Sequence, residues 1–298
     1  MKRLFIVGVA KGGTTALSNY LDQHPDICFS PIKEPHYFST DIKVEDFRPD
    51  YKNAVKSNSK HRAYIRDEKE YQDLFANCGE VKYLGEASPS YLCSSVAAQN
   101  IYNYDSTSRI IVVLRNPMER AFSHYLMNLR MGYKDISFMK AVEEDFNAPN
   151  KGWGISHLLI ELGFYHIQID RYFKVFPREQ IKIVIYEHFK QRTLDALEEL
   201  TDFLGLSEYQ YRLEDQYNVA KLPKSRGLYQ LVRKLNLAAY TPEVVKKRFS
   251  SFFYKGQEEL PKLSLEDKKI LYEKYYRKEI EKVEELLDLD LTAWHVKV

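Results

Sequence analysis

The sequence predicts an α/β fold, a parallel β-sheet flanked by helices on both faces. Three short apolar runs rich in β-branched residues are typical of buried parallel strands, and they cover residues 4–9, 109–114 and 181–186. Longer amphipathic stretches lie between them, and strands alternating with helices indicate βαβ units. The chain has 298 residues, enough for one large domain with a substantial core. We therefore expect a single domain over residues 1–298.

The other elements follow along the chain. Residues 81–84 are a weaker strand candidate, and amphipathic periodicity predicts helices at 15–23, 117–130, 164–176 and 194–204. A charged helical pattern follows at 264–287, with Ser264 as its N-cap and Asp267 three residues later. Residues 40–70 are polar without a strong period, which predicts a surface insertion or lid. Residues 240–298 form a predicted C-terminal helical extension.

Composition narrows the class of protein. The net charge is only +2 and aromatic residues make up 14%, which favours a folded protein over a disordered chain or a nucleic-acid binder. No apolar run approaches the roughly 18 residues of a membrane span, and the N-terminal run stops at Lys11, too early for a signal peptide. The three cysteines, Cys28, Cys78 and Cys93, form no CxxC pattern. They argue against a disulfide framework or a metal site, so we expect a soluble, cytoplasmic protein.

The strongest local motif is Gly-Val-Ala-Lys-Gly-Gly-Thr-Thr-Ala-Leu at residues 8–17, where a strand turns into a helix. Glycines let the backbone close around an anion, and the first N–H groups of the helix point at bound phosphate. The spacing resembles a P-loop, but Thr14 occupies the lysine slot and the lysine lies inside the loop as Lys11. No acid follows the strand at 109–114, where Arg115 stands instead, so the Mg²⁺–triphosphate apparatus is missing.

A second anion site is predicted after the strand at 109–114. This strand delivers Arg115 to its carboxyl end, where ligands collect in open α/β sheets. Asn116 is a good N-cap, and Glu119 three residues later completes a capping pattern, so the helix start is strongly specified. Ser123, two turns into the helix, can share a phosphate with the planar guanidinium of Arg115.

Together these motifs resemble the sulfotransferase superfamily. Lys-Gly-Gly-Thr-Thr-Ala-Leu at 11–17 and Arg-Asn-Pro-x-x-Arg-Ala-x-Ser-x-Tyr at 115–125 look like its loops for the 5′-phosphosulfate and 3′-phosphate of 3′-phosphoadenosine 5′-phosphosulfate (PAPS). Further matching pieces stand in order, namely residues 24–25, 33–38, 85–92 and 176–180. The closer resemblance is to carbohydrate and heparan-sulfate-type sulfotransferases and their bacterial relatives. It implies a P-loop-like fold and metal-independent transfer of a sulfuryl group from PAPS.

The resemblance also implies a set of nucleotide-binding residues. They lie in the two loops and in a late basic loop, and they are Lys11, Gly12, Gly13, Thr14, Thr15, Ala16, Arg115, Ser123, Lys224, Ser225 and Arg226. Ser225 replaces the glycine of the family's Lys-Gly-Arg. Negative charge builds on the leaving nucleotide during transfer, so a cation there helps most, and Lys11 fits that catalytic role.

A base must take the proton of the acceptor. Heparan-type enzymes use a glutamate in a Glu-x-His-(Phe/Tyr)-Phe context, which the resemblance places at Glu34. His36 in the same motif is the competing candidate.

Two other classes of protein use a similar loop. One is an ATP-dependent kinase or NTPase, disfavoured by Thr14 and the absent acid. The other is a non-catalytic nucleotide-binding protein, disfavoured because Lys11 and Glu34 are both present. The acceptor, a carbohydrate or another small metabolite carrying a hydroxyl or amine, stays open. Heparan-type enzymes have a lysine near Ala87, and its absence argues against a heparan-like acceptor. Residues 221–255 carry nine basic side chains against one acidic, which suits an anionic ligand or a solvated face.

Overall fold

A computed structural model describes residues 1–49, 51–53, 63–131, 134–213, 224 and 261–297 of the chain. Within these ranges, parallel strands form one sheet in the order β2-β3-β1-β4-β5. The strands are β1 (Lys2–Gly8), β2 (Ile27–Phe29), β3 (Tyr83–Ala87), β4 (Arg109–Leu114) and β5 (Ile181–Ile185). The three strong strand predictions are confirmed, whereas the weaker one at 81–84 begins two residues too early. Strand β2 was not predicted, because three residues carry no readable period.

Helices fill the connections between strands and also follow β5. Their bounds are α1 (Thr14–Leu21), α2 (Glu68–Asp73), α3 (Ser90–Cys93), α4 (Ala97–Tyr104), α5 (Pro117–Met131), α6 (Phe138–Phe146), α7 (Tyr165–Phe173), α8 (Tyr186–Gln191), α9 (Thr193–Phe203), α10 (Leu265–Leu271) and α11 (Arg277–Leu287). A π-helical turn over Tyr272–Tyr276 joins α10 to α11. The Ser264 hydroxyl accepts a hydrogen bond from the Asp267 N–H, so the predicted N-cap is confirmed.

Both faces of the sheet are covered, as the alternation of side chains requires. Phe5 and Val7 of β1 point to the face packed by α4, α5, α7 and α11. Leu4 and Ile6 point to the other face, packed by α1 and α9. All four side chains are fully buried. The predicted α/β class, with helices on both faces, is therefore confirmed.

The carboxyl ends of the parallel strands share one edge of the sheet. Strands β1 and β4 are neighbours there, yet the chain leaves β1 towards β2 and leaves β4 towards β5. Such a switch in direction opens a crevice above the strand ends, where ligands bind in α/β sheets. The loops after β1, β2 and β4 carry the predicted phosphate loop, Glu34 and Arg115, so the topology brings them to the same edge.

The structure corrects the interpretation of the cysteines. Cys28 of β2 and Cys78, just after α2, form a disulfide with a Cα–Cα distance of 5.9 Å, although 50 positions separate them in sequence. The prediction against a disulfide was therefore wrong for this pair, because cysteine count and spacing do not reveal which segments fold together. The disulfide also removes the argument for a reducing compartment that was based on the cysteines. In the part of the chain that the structure describes, no helix is long and apolar enough to cross a membrane.

Candidate active site

The loop between β1 and α1 is a tight backbone turn. The Val9 N–H donates to the Val113 carbonyl at 2.8 Å, and the Gly12 N–H donates to the Val9 carbonyl at 2.9 Å. A Cβ on Gly12 would lie 2.9 Å from the Val113 oxygen. Gly13 has φ of 93°, and a Cβ there would lie 2.8 Å from the Tyr186 ring. Both glycines are therefore required by space, and Gly13 also by its left-handed backbone.

Helix α1 presents its N-terminus at this turn. The N–H groups of Thr14, Thr15 and Ala16 belong to the first turn, which lacks intrahelical acceptors. The first turn has no acidic side chain that would oppose an anion. Unpaired N–H groups and the positive end of the helix dipole therefore face the space above the loop, as in phosphate-binding turns.

Lys11 is the cation of the loop. Its backbone is left-handed at φ of 71°, and its ammonium lies 3.8 Å from the Met127 sulfur. Burial first, and then the nearby cations, lower the pKa of Lys11 to about 8, while Glu34 acts in the opposite direction. The cations, in order of effect, are Arg130, Arg115 and Lys33. A bound anion would stabilise the protonated form of this amine, because its negative charge offsets the repulsion from the neighbouring cations.

The second predicted anion site begins immediately after β4. The Asn116 side-chain oxygen accepts hydrogen bonds from the N–H groups of Met118 at 3.1 Å and Glu119 at 3.3 Å, so the predicted cap is confirmed. The Arg115 guanidinium donates to the Lys11 carbonyl at 3.1 Å and lies 4.8 Å from the centre of the Tyr186 ring. Arg115 thus ties the two loops directly together.

Glu187 supports this turn, and sequence reasoning did not single it out. One carboxylate oxygen accepts from the Asn116 N–H at 2.9 Å, and the other accepts from the indole N–H of Trp294 at 3.3 Å. The Tyr165 hydroxyl donates to the Arg115 carbonyl at 2.7 Å. The backbone that carries Arg115 is therefore held from α7, from α8 and from the C-terminal segment.

Glu34 and His36 follow β2 at the same edge of the sheet. The Glu34 carboxylate lies 3.2 Å from the Lys33 ammonium and 3.5 Å from His36 Nε2. His36 is fully buried, and its Nδ1 lies 2.6 Å from the Ser90 hydroxyl. Its ring stacks on Tyr64 with centroids 4.5 Å apart. The histidine is thus enclosed by protein and stands behind the glutamate.

One cavity of about 1380 Å³ brings most of the predicted residues together. From the predicted set, its wall contains Lys11, Gly13, Thr14, Thr15, Ala16, Glu34, Arg115 and Ser123. Gly12 is buried in the turn below. Lys224 is exposed and is not part of this wall. Ser225 and Arg226 lie outside the described residues.

The cavity wall also contains residues that sequence reasoning did not name individually, namely Arg48, His124, Arg130, Trp153 and His157. Burial lowers the pKa of His157 to about 3, with Arg48 adding to the effect. Burial likewise lowers the pKa of His124 well below its usual range. Both imidazoles are therefore neutral at physiological pH. Arg130 was detectable, because it lies seven residues after Ser123 on the same face of α5. His124 lies beside Ser123 on α5, whereas Arg48, Trp153 and His157 come from segments distant in sequence.

Fold and loop geometry define the P-loop-like α/β class. The chain belongs to the sulfotransferase domain family, whose sequence model matches residues 1–284. It is 28% identical over 209 residues to the mouse heparan sulfate glucosamine 3-O-sulfotransferase 3A1, covering 69% of this chain and 46% of that protein. It is 27% identical over 227 residues to the human heparan sulfate glucosamine 3-O-sulfotransferase 6, covering 74% of this chain and 58% of that protein. The chain thus spans about half the length of these relatives.

A solved structure resembles nearly the whole chain. The sulfotransferase from Alicyclobacillus acidocaldarius superposes with a TM-score of 0.70 at 26% identity, covering 99% of this chain and 98% of that one. The family resemblance read from the motifs is confirmed.

Proposed function

We propose that this protein transfers the sulfuryl group of PAPS to a hydroxyl or amine of an acceptor, and that the acceptor is a carbohydrate or another small metabolite. The observation that carries the proposal is the shared cavity. It places Lys11, the N-terminus of α1 and Arg115 around the same space as the Glu34 carboxylate. A cationic cradle for a phosphosulfate and a base for the acceptor are the two parts that this reaction needs.

The residues present fit the nucleotide. The turn at Gly12 and Gly13 has no room for a Cβ, so it offers backbone N–H groups at close range. Arg115 and Ser123 line the same cavity as this turn and suit a second phosphate. PAPS supplies an activated sulfuryl group when bound. Thr14 in the lysine slot and Arg115 after β4 disfavour metal-bound triphosphate, so metal independence is part of the proposal.

Each residue then has a chemical task. The bond between sulfur and the bridging oxygen breaks, and its electron pair stays on the 5′-phosphate of the departing nucleotide. The Lys11 ammonium stabilises the negative charge that develops there. The acceptor oxygen or nitrogen forms the new bond to sulfur, and its proton passes to the Glu34 carboxylate. Arg115 and Ser123 hold the nucleotide in line.

A carbohydrate acceptor is favoured by two features. The curated relatives are named for transfer to a glucosamine of heparan sulfate. The cavity wall also contains Trp153, Arg48 and Arg130, and an aromatic ring with two cations suits a sugar ring with polar or anionic substituents. Heparan-type enzymes have a lysine near Ala87 that this chain lacks, so we propose a carbohydrate other than heparan sulfate itself.

The cytoplasmic location stays a prediction. A cytoplasmic location implies a reducing environment, whereas disulfides such as Cys28–Cys78 persist in oxidising compartments. Trapping the thiols with an alkylating reagent at the moment of cell lysis would measure whether Cys28 and Cys78 are oxidised or reduced in the cell.

Two measurements test the proposed function. Titration calorimetry with 3′-phosphoadenosine 5′-phosphate (PAP) in EDTA should show binding, whereas ATP with Mg²⁺ should bind weakly. Radiolabelled sulfate from PAPS should appear on at least one member of a panel of oligosaccharides, amino sugars and 4-nitrophenol. An absolute requirement of PAP binding for Mg²⁺, or tighter binding of ATP than of PAP, would contradict the proposal.

A further inference from the structure

Residues 63–66 run alongside the segment that carries Glu34. The Ala63 N–H donates to the Glu34 carbonyl at 2.9 Å, and the Ile65 N–H donates to the Pro35 carbonyl at 3.1 Å. The next carbonyl, that of His36, accepts from the Arg66 guanidinium at 2.8 Å. Three successive carbonyls are therefore held by one short stretch of chain.

The Arg66 guanidinium gathers the turn that follows Glu34. Beyond the His36 carbonyl, it donates to the carbonyls of Ser39 at 3.2 Å and Ile42 at 2.8 Å. It also donates to its neighbouring carbonyl, that of Ile65, at 2.8 Å. Four acceptors on one planar fork need the fixed geometry of arginine. A lysine ammonium has only three donors around a single point.

The backbone of this turn needs such support. His36 has φ of 50°, in the left-handed region that non-glycine residues rarely adopt. Residues in this region persist only where their surroundings over-determine them. The Ser88 hydroxyl accepts from the His36 N–H at 3.1 Å on one side, and Arg66 takes the carbonyl on the other.

We propose that Arg66 is a positioning residue for Glu34. It does not line the cavity, and it acts by holding the backbone from which the Glu34 carboxylate enters the cavity. The inference rests on the proposed role of Glu34 as the base. Misplacement of a reacting group by about 1 Å can cost on the order of 100-fold in rate, so the backbone hold matters to turnover.

The test compares Arg66→Ala with a matched control. Arg171 also donates to main-chain carbonyls, those of Leu92 at 3.1 Å and Cys93 at 3.3 Å, but not to the Glu34 segment. Arg66→Ala should lower kcat by about 10- to 100-fold, with PAP affinity and the KM for PAPS changed by less than about twofold. Arg171→Ala should keep kcat within about twofold. Added guanidinium chloride should restore part of the lost kcat, whereas sodium chloride at equal concentration should not.

A second readout does not depend on activity. Hydrogen exchange at the Ala63 and Ile65 amides should accelerate in Arg66→Ala and not in Arg171→Ala. If Arg66→Ala fails to fold, Arg66→Lys takes its place with the same expected split between kcat and KM. An unchanged kcat overturns the inference, and so does a loss of kcat and PAP affinity together without rescue by guanidinium. A wild-type protein that transfers no sulfate contradicts the proposed function instead, and the exchange rates still decide whether Arg66 holds the segment.

Discussion

The Glu34 carboxylate lies 3.5 Å from Nε2 of His36, and of these two side chains only the glutamate lines the cavity. The histidine is fully buried behind it, with Nδ1 at the Ser90 hydroxyl. An acceptor in the cavity therefore meets the carboxylate first. Of the two bases that the motif leaves open, this arrangement favours Glu34 and gives His36 a supporting place.

Replacing each of the two residues should separate their roles. Glu34→Gln keeps the shape and removes the basicity, so kcat should fall by roughly 10²- to 10⁴-fold while PAP affinity changes little. His36→Asn should cost much less, since the imidazole does not reach the cavity. Steady-state kinetics with a single acceptor and calorimetry with PAP measure both. A nearly active Glu34→Gln beside an inactive His36→Asn would reverse the assignment.

Arg115→Ala should weaken nucleotide binding. Its guanidinium stands on the cavity wall and also bonds the Lys11 carbonyl, so the change removes a charge and a link between the loops. We expect a loss of about 2–5 kcal/mol in PAP binding, the range for truncating one partner of a buried charged pair. Calorimetry in EDTA measures it. Arg109→Ala serves as the control, because Arg109 begins β4 at the opposite edge of the sheet. Equal losses in the two variants would contradict a specific role for Arg115.

Gly12→Ala should weaken nucleotide binding at the phosphate loop. A Cβ there would lie 2.9 Å from a backbone oxygen, that of Val113, so the loop itself must shift. PAP affinity should fall by at least about tenfold, since a misplaced loop no longer presents its N–H groups in register. Gly79→Ala is the matched control, because nothing lies within 4 Å of the Cβ it would add. Fluorescence-monitored PAP titration compares them, and an unaltered affinity in Gly12→Ala would mean that the turn has more room than this geometry allows.

The parts of the site that could be predicted from sequence are those encoded locally. The phosphate loop and the Asn116 cap each combine a strand end, a turn and a helix start within about a dozen residues, where spacing alone carries the information. Glu34 was predicted only through the family resemblance, since a glutamate next to Lys33 reads as a surface ion pair by itself.

What escaped prediction depends on contacts distant in sequence. Arg66 reaches His36 across 30 positions, and Glu187 reaches Asn116 across 71. Neither residue has a local pattern that reveals its partner. Strand β3 was placed too early for another reason. Glu86 is the fourth of its five residues and is almost fully buried, so a charged residue interrupts the apolar run that marks a strand. Burial raises the pKa of Glu86 to about 8, which keeps it mostly neutral there at physiological pH.

Breaking the Cys28–Cys78 bond should destabilise the fold. In the chain-entropy view, a cross-link over 50 residues contributes about 4 kcal/mol, and measured values are commonly 2–4 kcal/mol. Cys28→Ser should therefore lower the free energy of unfolding by about 2–4 kcal/mol in urea titrations. Reductant should have a similar effect on the wild type and none on Cys28→Ser. Cys93→Ser, which leaves the bond intact, should remain sensitive to reductant. If reductant left the free energy of unfolding of the wild type unchanged, the cross-link would be contradicted.

Lys11 should act on the chemical step more than on nucleotide binding. The negative charge that Lys11 stabilises develops on the nucleotide only as the sulfuryl group leaves. Lys11→Ala should therefore lower kcat by about 10²- to 10³-fold and weaken PAP binding far less. If kcat were unchanged while the KM for PAPS rose, Lys11 would be a plain phosphate anchor.

The pH dependence of the reaction gives a sharper test of Lys11. Its pKa is lowered to about 8 in the free protein, and only the protonated amine carries the charge. The value of kcat/KM for PAPS, which reports ionisations of the free enzyme, should therefore be level below pH 8 and fall about tenfold per pH unit above it. Lys11→Arg, whose guanidinium stays protonated, should show a lower plateau without this decline. Rate profiles from pH 6.5 to about 10 in one mixed buffer at constant ionic strength measure both proteins. An identical decline in Lys11→Arg would assign the ionisation to another group and leave Lys11 charged throughout.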